Sequence, residues 1–167
     1  MYPVHPSIAA AHPRRHAARR RSPLTGESAQ ASVAPGMPLR CLRLRLLPES
    51  FAICRLEPDA PIPAWFPHQG FSALIRTADE LALYCDERPV PPDVQAVRGW
   101  RAFELLGPFD FSETGVIASV AGPLAEAGIS LSVLATFDTD YIFVREDALE
   151  DAAEVLSAAG HRIVSPE

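Results

Sequence analysis

Two short stretches hold residue types that could do chemistry. In "ATFDTDYIFV" (135–144), Thr136, Asp138 and Asp140 stand two apart inside an otherwise apolar run. In extended chain they share one side, while Phe137 and Thr139 take the other. A tight turn needs one or two polar residues, and this stretch supplies more. In "GPFDFSETG" (107–115), Asp110, Ser112, Glu113 and Thr114 lie between Gly107 and Gly115. A helix beginning there would present unpaired amides and the positive end of its dipole, which favour a carboxylate. The glycines permit close backbone approach, and Ser112 and Thr114 offer hydroxyls. Asp110 and Glu113 would repel an anion unless they turn outward or meet a ligand ammonium. Amides for a carboxylate and acids for an amine are the logic of an amino-acid site. The plainer reading is that Ser, Thr, Asp and Gly cap and turn any strand-to-helix loop.

Catalysis has less to stand on. His68 and His161 have no Ser or Cys near them in sequence to form a nucleophile–base pair. There is no H-E-x-x-H, P-loop or G-x-G-x-x-G. Asp140 with Glu113 would be the acid and base of a cofactor-free enzyme. Cys41, Cys54 and Cys85 form no C-x-x-C pair, which argues against a disulfide framework or zinc. They read as small buried hydrophobes in a reducing cytoplasm. No cofactor and no metal are expected.

The positioning elements follow from periodicity. "WRAFELLG" (100–107) reads as a strand. Val116, Ile117, Val120 and Leu124 make a helical stripe, with Thr114 as N-cap, Gly128 as stop and Pro123 distorting the helix. Strands over 130–137 and 140–146 flank the polar turn. Asp147, with Glu150 three residues on, predicts a capped second helix lined by Leu149, Ala152, Ala153 and Leu156 and ended at Gly160. A short strand over 161–165 closes the order βαββαβ, the ferredoxin-like arrangement.

A shift of sixty residues lays Leu46, Pro48 and Phe51 on Leu106, Pro108 and Phe111, and Ser72, Leu74 and Glu80 on Ser132, Leu134 and Asp140. Residues 37–98 and 99–167 therefore read as two copies of one unit. In the first copy, Pro58, Pro61, Pro63 and Pro67 exclude a regular first helix, and "RPVPP" breaks the second. Its sheet should persist and be covered by the second copy. The expected fold is α+β: two βαββαβ units side by side in one antiparallel sheet, helices on one face, the first unit helix-poor. An acid at the matching hairpin position of each copy, Glu80 and Asp140, would let groups from both converge at an internal interface.

Composition narrows the partners. The net charge is −6, and every basic residue is arginine. Residues 1–36 hold five arginines and one acid, and the remainder ten arginines and twenty acids. The acidic body argues against a nucleic-acid surface. No apolar run approaches the ~20 residues of a membrane span. Residues 1–36, with five prolines and no apolar period, read as a disordered tail. They are a dispensable extension upstream of Met37, an arginine-rich organelle leader, or a weak nucleic-acid arm.

"GPFDFSETG", "GVIASVAGPLAEAGIS", "ATFDTDYIFV" and the earlier "FSALIRTADELALYC" together resemble the tandem ACT-domain proteins of the CASTOR-like amino-acid-binding family. The likeness spans nearly all of 38–165. It implies two ACT units in one continuous sheet and a small ligand, usually an amino acid, held at an ACT–ACT interface without catalysis. It also implies a regulated partner protein. The implied ligand contacts are Ser112, Glu113, Thr114 and Gly115 in the loop, with Thr136, Phe137 and Asp140 in the turn; Asp138 joins them on spacing. Four ACT units in the animal sensors against two here imply that a homodimer completes the site. A structural module without ligand is the main alternative to a sensor.

Overall fold

Short apolar runs form the strands, and the two stretches with helical spacing form the helices. The computed structural model describes residues 40–164, which belong to one compact unit; the expected tail over 1–36 lies outside the described residues. The strands are β1 (Arg43–Leu46), β2 (Phe51–Leu56), β3 (Ser72–Arg76), β4 (Leu81–Asp86), β5 (Ala96–Leu105), β6 (Leu131–Ala135), β7 (Asp140–Arg145) and β8 (Arg162–Val164). The helices are α1 (Val116–Glu126) and α2 (Leu149–Ala158), the second entered through a 3-10 turn at Glu146–Ala148.

All eight strands share one sheet, and β5 is its hub. The first half of β5 pairs with β2, placing Phe51 opposite Trp100. Its second half pairs with β1, Leu44 opposite Leu105, and with β7, Phe103 opposite Ile142. β4 and β3 continue beyond β2, and β6 beyond β7. The element order β5-α1-β6-β7-α2-β8 is the expected βαββαβ. One pairing departs from it: the last strand should border the first, yet β1 lies between β5 and β8, and β8 runs parallel to it. The early strand fits there because Leu44, fully buried, belongs to the helix-covered core.

Both helices cover one face. Val116, Val120 and Leu124 of α1 and Ala152 and Leu156 of α2 pack on Leu44, Phe103, Leu105, Ile142 and Val144. Among the described residues no helix precedes α1. The corresponding face of the first half, with Ala52, Cys54, Leu81, Leu83 and Cys85, is covered by Trp65, Phe66, Val90 and Val94. The proline segments are thus themselves the covering layer, because chain that cannot be helical can still lay aromatic rings on a sheet. The second half covers the opposite face instead. There Phe51 meets Phe143 edge to face at 5.6 Å, and the Tyr84 hydroxyl lies 3.2 Å from Ser132 Oγ. Cys54 and Cys85 are buried as expected, but Cys41 is exposed.

Pro123 sits inside α1 and leaves the Ser119 carbonyl without its usual i+4 amide donor. His161 supplies the missing bond: its Nε2 lies 2.9 Å from that carbonyl, and its Nδ1 accepts the Leu42 amide at 3.2 Å. The two bonds fix the neutral tautomer with the proton on Nε2. Gly122, lacking a Cβ, eases helical backbone before a proline.

Two expected caps are displaced. Gly115, at φ 83°, takes the N-cap of α1 in place of Thr114, since only glycine adopts that backbone without strain. Asp147 lies within the 3-10 turn, and α2 starts without a side-chain cap bond.

Candidate functional site

The loop from Gly107 to Gly115 and the turn between β6 and β7 are the walls of a cleft of about 290 Å³. The first residues of α1, Val116 to Ala118, form its floor. Their amides lack intrahelical acceptors, and α1 has no acid in its first turn.

Of the residues singled out in the sequence, Glu113, Gly115, Thr136, Phe137 and Asp140 line this cleft. Ser112, Thr114 and Asp138 do not. Ser112 turns back on the loop, donating its hydroxyl to Asp110 Oδ1 at 2.6 Å and its amide at 2.8 Å. Thr114 is exposed beside the cap. Asp138 faces a second groove with Arg45, Glu104 and Gly107. Strand alternation fails to place Asp138 because residues 136–139 are a turn. Thr136 Oγ1 donates to the Thr139 carbonyl at 2.7 Å and accepts the Thr139 amide at 3.3 Å. Phe109 and Phe111, with Asp110, Ala135 and Thr139, complete the lining. The first two are an F-x-F spacing visible in "GPFDF"; nothing local marks Thr139.

The same turn recurs in the β3–β4 hairpin, where Thr77 Oγ1 accepts the Asp79 and Glu80 amides at 3.2 Å each. Matched turn to turn, Thr77 corresponds to Thr136 and Asp79 to Asp138, a shift of fifty-nine rather than sixty. The partner of Asp140 is then Leu81, fully buried in β4, so no acid from the first hairpin meets Asp140 by symmetry. The apparent match of Leu46–Phe51 with Leu106–Phe111 pairs the β1–β2 junction with the loop after β5.

The three carboxylates of the cleft are not equivalent. The Asp110 amide, 2.9 Å away, and then the Arg40 guanidinium hold Glu113 below the ordinary carboxylate range. The Ser112 hydroxyl and amide do the same for Asp110. Burial pushes Asp140 upward, and among the described residues no donor or cation meets its carboxylate. Asp140 is the one carboxylate of the three without a partner among the described residues. Among the described residues no three His, Cys, Asp or Glu side chains are placed to hold one metal ion, and no helix is long and apolar enough to cross a membrane.

The ACT domain family model matches residues 95–158, and an N-terminal domain model matches 49–93. Subunit 1 of the cytosolic arginine sensor for mTORC1 from Homo sapiens is 43% identical over 58 residues, which are 34% of this chain and 18% of the sensor. The Rattus norvegicus sensor is 32% identical over 69 residues, 41% of this chain and 21% of its own. The chain thus spans about a fifth of the length of these curated relatives. Among solved structures, protein Atu0741 from Agrobacterium tumefaciens is 40% identical with a TM-score of 0.72, covering 77% of this chain and 96% of that one. The regulatory subunit of aspartate kinase from Thermus flavus shares the fold at 13% identity and a TM-score of 0.52, over 72% of this chain and 99% of its own. With the cleft built by the loop, turn and helix of residues 107–140, these matches make residues 95–158 an ACT domain, in a chain that belongs to one family with protein Atu0741.

Proposed function

We propose that this chain is a non-catalytic regulatory module that binds a free amino acid in the cleft between α1 and the β6–β7 turn. The observation that carries this is the Asp140 carboxylate, partly buried and unpartnered in a cleft floored by the helix start. A ligand ammonium or guanidinium would neutralise Asp140, while the ligand carboxylate takes the free amides of α1. Among the described residues three carboxylates and no basic side chain line the cleft, so a cationic amino acid fits best. Arginine is the first ligand to test, given what the name of the mTORC1 sensor says it senses.

Two ACT units, over 37–98 and 99–167, are part of the proposal. The β3–β4 and β6–β7 hairpins support it, having equal strand lengths and the same threonine-closed turn. A homodimer would set two open clefts against each other, and a regulated protein would read their occupancy. Three free thiols favour a reducing compartment such as the cytoplasm.

One observation favours a second reading. Glu113 and Asp140 share the cleft with pKa values displaced in opposite directions, as an acid and base pair would need. A thermal-shift screen of the twenty amino acids separates the readings. A binding module is stabilised by ~2.7 kcal/mol at one hundred times the dissociation constant and returns the compound unchanged. Consumption of the compound favours the enzyme, and no stabilisation by any of them favours a structural module.

A further inference from the structure

The two walls of the cleft meet at its base and again at its mouth. At the base, the Phe109 amide donates to the Asp138 carbonyl at 3.0 Å. Gly107 approaches so closely that a Cβ there would lie 2.5 Å from the same oxygen. At the mouth Phe111 from the loop and Phe137 from the turn stand edge to face, centroids 5.4 Å apart. These rings are 79% and 78% exposed, more than any other large apolar side chain among the described residues. Core packing therefore does not explain their position. Each wall is otherwise braced within itself and from its flank, the loop by Asp110 with Ser112 and Glu113 and by Arg40 on Glu113, the turn by Thr136 with Thr139 and by the Thr139 hydroxyl on the Leu105 carbonyl. Two rings also fall far short of the area a stable protein interface buries.

We propose that the Phe111–Phe137 contact is an aromatic latch, fixed at the Phe109–Asp138 base and opening at the rings to admit and release the ligand. The latch rests on the reading that the cleft takes an amino acid, and it concerns retention, a part of binding that acts mainly on the dissociation rate. Removing one aromatic pair shifts the open–closed balance by about fivefold, ~1 kcal/mol at 1.4 kcal/mol per decade.

The test compares wild type, Phe111→Ala, Phe137→Ala and the double variant by amide hydrogen exchange without ligand and by stopped-flow dissociation of arginine. Each single variant should speed exchange in both 109–114 and 136–139, including the wall that was not altered, by about fivefold. Arginine should leave faster by a similar factor, and the double variant should match the singles, because both remove one contact. Unchanged exchange in the unaltered wall, additive effects, or faster exchange with unchanged dissociation would each overturn the latch. If neither arginine nor any other amino acid binds wild type, the amino-acid reading fails, while the exchange data still decide whether the rings couple the walls. Thermal unfolding of the three variants should agree with one another and lie only a few degrees below wild type, the loss of one ~1 kcal/mol contact.

Discussion

The Phe109 amide donates to the Asp138 carbonyl at 3.0 Å, tying the loop that enters α1 to the turn between β6 and β7. Gly107 makes room for this bond, since any side chain there would strike the Asp138 carbonyl oxygen. Gly107→Ala should therefore destabilise the protein by about 1–3 kcal/mol, the cost of overpacking against backbone. It should also weaken ligand binding by separating the walls. Urea unfolding and calorimetric titration measure the two effects on one sample.

Asp140→Asn should separate stability from function. Burial holds the folded-state pKa of Asp140 above its ordinary value. The folded protein then binds the extra proton, and stability contributed by this group is lost as pH rises from the ordinary value through the raised one. At neutral pH the charged Asp140 is a net cost to the empty protein. The asparagine variant should melt above wild type without ligand and bind the amino acid about ten- to a hundredfold more weakly, the loss of a charge-assisted bond.

The pH dependence of binding follows from the same ordering. As pH falls from neutral, Asp140 protonates first, since burial raises it, while the Asp110 amide and Arg40 keep Glu113 ionised and Ser112 keeps Asp110 so. Affinity should begin to fall above the ordinary carboxylate range, and in Asp140→Asn that limb should vanish. Titration calorimetry across the acid range reads both.

His161 and Pro123 form one structural unit, the imidazole donating to the carbonyl that the proline leaves free. His161→Phe strands the Ser119 carbonyl and the Leu42 amide in the core and should cost about 2–4 kcal/mol. In a Pro123→Ala background, residue 123 regains an amide for Ser119, and the same substitution should cost at least ~1 kcal/mol less. A double-mutant cycle in urea measures the difference.

Local pattern made much of this molecule legible. The stripe of Val116, Val120 and Leu124 foretells the buried face of α1, and the short apolar run in "DYIFVRE" foretells β7. Non-local features were not legible. The place of β1 between β5 and β8 depends on partners sixty and more residues away. The prolines of the first half correctly exclude helices, yet nothing in their spacing says that Trp65 and Phe66 cover the sheet. Within the site, Glu113, Thr136 and Asp140 are brought together, but side-chain direction in the turn is set by Thr136 hydrogen bonds, which carry Asp138 out of the cleft. The turn match at fifty-nine was hidden because the identities at sixty outnumber the two residues, Thr77 with Thr136 and Asp79 with Asp138, that coincide there.

A crystal structure of the protein with the amino acid that stabilises it most would test the account at its centre. The ligand carboxylate should lie at the amides of Val116 to Ala118 and its cationic group on Asp140, beneath Phe111 and Phe137. Density for the ligand in the Arg45–Glu104 groove, or in the cleft with Asp140 untouched, would contradict it.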